Sequence, residues 1–291
     1  MDVYQDAKEH IDNLADSVRM TRRGFAVTSL CACFAAAVKP VGAATITTDT
    51  SGITAGEVKI PVSDGAVPGY RAMPATGSNF PTVLVIQEIF GVHEHIRDLC
   101  RRLAKTGYYA IATELFARQG DVSKISDFAQ IMPIVAKVPD DQVIRDLDSS
   151  VLFAKSEKAN TDKLAVTGFC WGGRQTWLYT ASNPKVKAGV AWYGQLVARE
   201  GSNQKDAAGV ADKIKGRVLG LYGGQDTGIG ADQRDKMNAA LKAAGDTQSK
   251  IIVYPDAQHG FNADYRPSYN EEAAKDGWAK MLDWFKSHGV A

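Results

Sequence analysis

Gly168-Phe169-Cys170-Trp171-Gly172-Gly173 follows without a break on the apolar run Leu164-Ala165-Val166-Thr167. A continuous apolar run of this length suits a strand buried on both faces. The glycines directly after it mark a tight turn from strand into helix. In the pattern G-x-C-x-G, side chains two before and two after the central residue would collide. The central residue is then held in a strained conformation with its side chain exposed above the sheet. The helix that begins here points its amino end at the sulfur, which favours a thiolate and any developing oxyanion. A cysteine after a strand is by itself most often a small packed hydrophobe. The flanking glycines and the strand–turn–helix context make Cys170 a candidate nucleophile instead. The backbone N–H of Trp171 is one candidate oxyanion donor, and Ile89 or its neighbour, in the loop after the third strand, is the candidate for the second.

Working outward, similar apolar runs recur at Thr82-Val83-Leu84-Val85-Ile86, 109–112, 188–192, 218–222 and 251–254. Glu57–Val62 and the segment around Gly69–Ala72 read as a leading hairpin. Helical periodicity falls near 95–106, 141–157, 173–182, 231–244 and 269–287; in the last, Trp278, Met281, Leu282 and Phe285 recur as a core stripe. Strand and helix alternating in this way predict an α/β fold, a mostly parallel central sheet with helices on both faces. No linker or repeat divides residues 56–291, so residues 44–291 are read as a single domain. The stretches 116–140 and 195–210 read as loops, either lid and pocket or plain surface.

Composition is that of a globular protein: 45% hydrophobic, 23% charged, 34 basic residues against 33 acidic. A formal charge of +1 gives no basic excess for nucleic-acid binding. The four cysteines, at 31, 33, 100 and 170, are too few and too scattered for a disulfide framework. Cys100 lies in an amphipathic stretch and reads as core. No apolar run reaches the length of a membrane span.

A cysteine nucleophile needs a base, and the base needs an orienting group. Of five histidines, His259 in Asp256-Ala257-Gln258-His259-Gly260-Phe261 sits just after the last strand. Asp226, directly beyond the run at 218–222, is the candidate acid. Asp232 opens a helix and Asp256 lies too close to His259 in sequence, so both are weaker rivals. The chain order is nucleophile, acid, histidine. His93-Glu94-His95 with Glu88 and Asp98 raises a metal reading. Residues two apart on a helix diverge by about 200°, which argues against a shared ion; no metal is expected.

Residues 1–43 read as an address. Thr21-Arg22-Arg23-Gly24-Phe25 precedes an apolar run to Val38 and small residues up to Ala43. The layout is that of a secretory signal, and the paired arginines resemble those read by the twin-arginine export machinery. At about fourteen residues the apolar run is too short to cross a bilayer core of roughly 30 Å, so no stable membrane anchor is expected. Cleavage is expected after Ala43 or Ala44, and a periplasmic or secreted location follows. The acidic residues 2, 6, 9, 12 and 16 are unusual ahead of a signal, and Met20 offers an alternative start; a cytosolic extension is the other reading.

Gln87-Glu88-Ile89-Phe90-Gly91, Gly168-Phe169-Cys170-Trp171-Gly172-Gly173, Gly224-Gln225-Asp226 and His259-Gly260-Phe261 together resemble the blocks of the dienelactone hydrolase family of α/β-hydrolases, in its order. The resemblance spans most of residues 56–288. It implies a Cys170–His259–Asp226 triad cleaving a small-molecule ester or lactone through a thioester acyl-enzyme, without cofactor. It also implies that Glu88 contacts the thiol and takes part in its activation. A carboxylate there would disfavour the thiolate until displaced. The sequence departs from the family where an arginine four positions after the histidine holds the substrate carboxylate: here Ala263 stands there. Arg266 and Arg118 are the candidate replacements, with Arg145 and Arg174 as further possibilities; Arg174, on the elbow helix, has a solvent-facing reading as well. The alternative function is a non-catalytic small-molecule binding protein on a hydrolase fold. No motif encodes an oligomeric state.

Overall fold

In the computed structural model, the residues described are 45–291 apart from 158, 199–201 and 203. The export reading of residues 1–43 therefore lies outside the described residues. In chain order the elements are β1 (Ile53–Val62), β2 (Gly65–Pro74), β3 (Phe80–Ile86), α1 (Glu94–Lys105), β4 (Tyr109–Thr113), α2 (Phe128–Val135), α3 (Asp140–Ser156), β5 (Ala159–Phe169), α4 (Trp171–Ser182), β6 (Val186–Trp192), a 3₁₀ turn (Ala208–Lys213), β7 (Arg217–Gly223), α5 (Ala231–Ala243), β8 (Lys250–Tyr254) and α6 (Glu271–Ser287).

The strands form one eight-stranded sheet in the order β1-β2-β4-β3-β5-β6-β7-β8. β1 and β2 are the expected hairpin, and β2 pairs antiparallel with β4. From β4 onward every pairing is parallel. Parallel strands need covering on both faces, and side chains alternate accordingly. In β3, Val83 and Val85 face a layer with Ile96, Leu99 and Leu103 of α1 and Met281 and Phe285 of α6. Leu84 and Ile86 face the other layer, with Val143, Leu147 and Val151 of α3. Cys100 is fully buried in the first layer, as its amphipathic context predicts.

The sequence order reverses around β3, and β3, β5, β7 and β8 all release their chain at the same edge of the sheet. Loops beyond the carboxyl ends at such a reversal are where an open α/β sheet places its site. Two elements meet stretches read as loops: α2 lies inside 116–140, and the 3₁₀ turn begins within 195–210 and runs past it. α2 is short, carries Pro133 inside it, and starts at Asp127, whose side chain accepts from the Ala129 N–H at 2.9 Å. Proline in a helix interior is a poor helix signal; the Asp127 cap stabilises the turn locally.

A methyl group on Gly172 would lie 2.5 Å from both the Ile86 and the Gln87 carbonyl oxygens of the neighbouring strand end. Gly172→Ala should therefore lower the unfolding free energy by roughly 1–3 kcal/mol, the usual cost of overpacking. Leu152→Ala, at a residue that is 69% exposed, should stay within about 0.5 kcal/mol. Urea unfolding of both variants checks the pair.

Candidate active site

β5 ends at Phe169, α4 begins at Trp171, and Cys170 alone makes the turn. Its backbone has φ +56° and ψ −115°, a left-handed conformation costly for a residue with a side chain. The conformation is held from outside: the Cys170 N–H donates to the Trp192 carbonyl at 3.0 Å, and the Cys170 carbonyl accepts from Gly173 N–H at 3.0 Å. The glycines serve close approach. A Cβ on Gly168 would sit 2.2 Å from the Gly172 carbonyl oxygen, and one on Gly173 would sit 2.4 Å from that of Trp192. The clash expected between the positions flanking the cysteine is thus present for Gly168, whereas Gly172 and Gly173 instead let α4 press against β3 and β6.

His259 Nε2 lies 3.1 Å from Cys170 Sγ, and His259 Nδ1 lies 2.8 Å from Asp226 Oδ2. The other Asp226 oxygen accepts from the N–H groups of Gly228 (2.8 Å) and Ile229 (3.1 Å), so the carboxylate cannot rotate away. Asp226 is buried, whereas the rivals Asp232 and Asp256 are exposed. Burial by itself would depress the His259 imidazole. The charge on Cys170 and the Asp226 carboxylate outweigh burial and push it up to about 10. Trp171 is the first residue of α4, so its N–H has no place in the intrahelical ladder and points towards the turn. Ile89 lies in the turn bridged by Glu88 and Gly91, directly after β3.

Glu88 is fully buried. Its Oε2 accepts from the Tyr265 hydroxyl at 2.5 Å and lies 3.5 Å from His93 Nε2, while Oε1 has no hydrogen-bond partner. Its polar partners among the described residues are thus Tyr265 and His93, and no hydrogen bond joins it to the thiol. Burial raises the Glu88 carboxyl, but His93, Arg266 and His95 more than reverse this and hold it well below the usual carboxylate range.

The candidate arginines separate. Arg266 is buried, with its guanidinium 5.2 Å from the Phe90 ring centroid, and both Glu88 and the Cys170 sulfur act on its charge. Gly260, at φ +76°, would place a Cβ 2.6 Å from Arg266 Nη1. The residue after His259 is thus glycine partly because the guanidinium crosses it. Arg118 differs: it donates to Asp64 at 2.6 Å and Asp146 at 2.7 Å, joining the β1–β2 turn to α3. Engaged by two carboxylates, it is not offered to a substrate. Arg174 does not face solvent; it is 2% exposed and donates to Asp140 at 2.5 Å and to the Lys205 carbonyl at 3.1 Å. Arg145 is exposed on α3.

His93 and His95 do not diverge as two helical residues would. His93 is the N-cap of α1, with extended backbone (φ −79°, ψ 179°), so the helical rotation does not apply to it. The two rings stack with centroids 6.1 Å apart. Among the described residues, no group of three or more His, Cys, Asp or Glu side chains is placed to hold a metal ion.

Two further aromatic neighbours stand at the site; from the sequence Tyr193 reads either as pocket lining or as packed core, and only Tyr265 escapes that reading. Tyr193, at φ +38°, follows β6 directly and sets its ring edge-on to His259 at 5.2 Å. Its place after a buried run was a usable signal, although an aromatic there is more often core. Tyr265 carries no such signal, because its loop is fixed by side-chain contacts distant in sequence.

The sequence model of the dienelactone hydrolase family matches residues 67–289. A Methylorubrum extorquens protein, provisionally named a carboxymethylenebutenolidase, is 57% identical over 283 residues, covering 96% of this chain and 97% of its own. An Escherichia coli protein of the same provisional name is 48% identical over 259 residues, covering 88% and 95%. Among solved structures, a provisionally named dienelactone hydrolase from Klebsiella pneumoniae superposes with a TM-score of 0.78 at 51% identity, over 80% of this chain and 98% of that one.

Because the folded His259 is raised above its ordinary value of 6.5, to about 10, its contribution to stability is complete below about pH 6.5 and is lost as the pH rises through about 10. Asp226→Asn removes one of the two charges responsible. Chemical unfolding between these two pH values should show a shallower loss of stability in the variant than in the parent. An unchanged slope would mean that Asp226 does not hold the imidazolium.

Proposed function

The chain belongs to the dienelactone hydrolase family, and on that premise we propose that it cleaves small esters or lactones through nucleophilic attack by Cys170. The family makes it a hydrolase on an α/β-hydrolase fold. The observation that carries the finer reading is the unbroken line from Asp226 Oδ2 to His259 to Cys170 Sγ, at 2.8 and 3.1 Å.

In this reading the Cys170 thiolate attacks the ester carbonyl carbon, and the carbonyl oxygen becomes a tetrahedral oxyanion. The N–H groups of Trp171 and Ile89 receive it, each donor worth roughly 3–4 kcal/mol in comparable sites. His259 gives its proton to the departing alkoxide as the carbon–oxygen bond breaks, leaving a thioester on Cys170. Neutral His259, oriented by Asp226, then takes a proton from water as that water attacks the thioester. Collapse releases the carboxylic acid, which gives its proton to solvent, and returns the thiolate–imidazolium pair. Deacylation by water is the slower half for a thiol enzyme, which favours activated esters, lactones and enol esters. Arg266 takes the place left by Ala263 as the group that holds a substrate carboxylate: it is buried, lies against the residue after His259, and is always charged.

Hydrolysis of a dienelactone and of a neutral aryl ester tests this directly. Cys170→Ala should abolish both activities, and His259→Asn should lower kcat at least about 10³-fold. Arg266→Met should raise KM for the carboxylate-bearing lactone and leave that for the aryl ester nearly unchanged. Turnover that survives Cys170→Ala would remove the assignment.

We further propose that residues 1–43 direct export by the twin-arginine route, on the strength of Arg22-Arg23, Phe25 and the short apolar run after them. With Arg22→Lys and Arg23→Lys together, the uncleaved chain should accumulate in the cytoplasm. Equal partition of both forms on cell fractionation would refute export.

A further inference from the structure

Ile89 and Phe90 are the central residues of a tight turn that Glu88 and Gly91 close with a β-bridge. The direction of a backbone N–H in so short a turn is set by whatever holds its two limbs. The limb before Ile89 is fixed by α4, because Gly172 packs directly on the Ile86 and Gln87 carbonyl oxygens. Gln87 Oε1 also accepts from the Leu115 N–H beyond β4 at 3.3 Å. The limb after Phe90 has a different holder. Glu114, the first residue after β4, accepts from the Val92 N–H at 2.8 Å through Oε2. Gly91, at φ +76°, comes so near that a Cβ there would stand 2.7 Å from the same oxygen. Glu114 is itself anchored, since its N–H donates to the Pro68 carbonyl of β2 at 2.8 Å. β4 lies beside β3 and parallel to it, so both release their chains at one edge of the sheet and a side chain can span the gap. Arg97 of α1 completes the hold by donating to the Val92 carbonyl at 3.0 Å.

Resting on the reading of Cys170 as nucleophile and Ile89 as oxyanion donor, we propose that Glu114 is a positioning residue for acyl transfer, clamping the turn at Val92 and so setting the direction of the Ile89 N–H. Val92 precedes the N-cap of α1, where no helical carbonyl is available to an N–H. The Glu114 carboxylate supplies the missing acceptor from a neighbouring strand, a firmer support than the loop has by itself. An oxyanion donor acts through its placement: losing one costs about 10²–10³ in kcat, and a misplacement of about 1 Å can cost about 100-fold. The clamp serves only a step in which the carbonyl oxygen gains charge. Its loss is therefore felt in acyl transfer and not in a reaction of the same sulfur that forms no oxyanion.

The test uses the full-length protein and a neutral aryl ester. Glu114→Ala should lower kcat by roughly tenfold or more and leave KM within about twofold. Alkylation of Cys170 by iodoacetamide, followed on its peptide by mass spectrometry, should stay within about twofold of the parent rate. There the sulfur attacks the methylene carbon and iodide leaves, with no oxyanion formed. Glu114→Gln keeps an acceptor oxygen for the Val92 N–H and should recover kcat to within about threefold. Gly91→Ala would push the turn off the Glu114 carboxylate and should show the same loss of kcat with KM and alkylation held. It carries the test if Glu114→Ala does not fold. An unchanged kcat in Glu114→Ala overturns the proposal. So does a parallel fall of hydrolysis and alkylation, which marks general damage to the site, or a glutamine variant no better than alanine. All three leave Cys170 in place as the nucleophile, whereas turnover that survives Cys170→Ala removes the reading on which the proposal rests.

Discussion

The turn at Cys170 admits α4 only if three positions lack a Cβ and one residue accepts a left-handed backbone. Gly168 clears the Gly172 carbonyl, Gly172 clears the end of β3, and Gly173 clears the end of β6. These contacts place more than the sulfur. α4 presses against Ile86 and Gln87, just before Glu88 beyond the end of β3, and against Trp192, just before Tyr193, whose ring meets His259. The strain at Cys170 is sustained by hydrogen bonds to Trp192 and Gly173, which is how an unfavourable φ persists in a folded chain.

Several buried charged groups of the fold are paired. Asp226 is satisfied on both oxygens; Asp264 meets His95 and Arg102; Asp98 meets Arg101 and Arg102. Buried ion pairs of this kind add little net stability, because desolvation cancels most of the attraction, but removing one partner is costly. Their consequence here is geometric. The loop 259–266 carries His259, the Glu88 partner Tyr265 and Arg266. Asp264 ties it to α1 through His95 and Arg102.

Much of this was legible in the chain. The parallel strands announce themselves because burial on both faces demands unbroken apolar runs, as at 82–86, 109–112, 164–167, 188–192 and 218–222; the run at 251–254 also lies within a strand, the half-exposed edge strand β8. Cys170, Asp226 and His259 could be found because each follows such a run. α2 and the 3₁₀ turn could not, being short and lacking a strong period. The fates of Arg118 and Arg174 were hidden for another reason. Whether an arginine faces substrate or a carboxylate depends on Asp64, Asp146 and Asp140, partners between 28 and 54 residues away. Glu88 is the sharpest instance: its strand-end position is readable, but its partner Tyr265 stands 177 residues away.

The proposed reading makes one central chemical claim, that an acyl group passes through the sulfur of Cys170. Mass spectrometry of the protein quenched in acid during turnover of a slow aryl ester tests it most directly. The expected result is the mass of the acyl group added to the peptide carrying Cys170, accumulating when deacylation is slowed by His259→Asn under a single addition of ester. Continued ester hydrolysis with the acyl group on another residue, or hydrolysis that proceeds equally in Cys170→Ala, would contradict it.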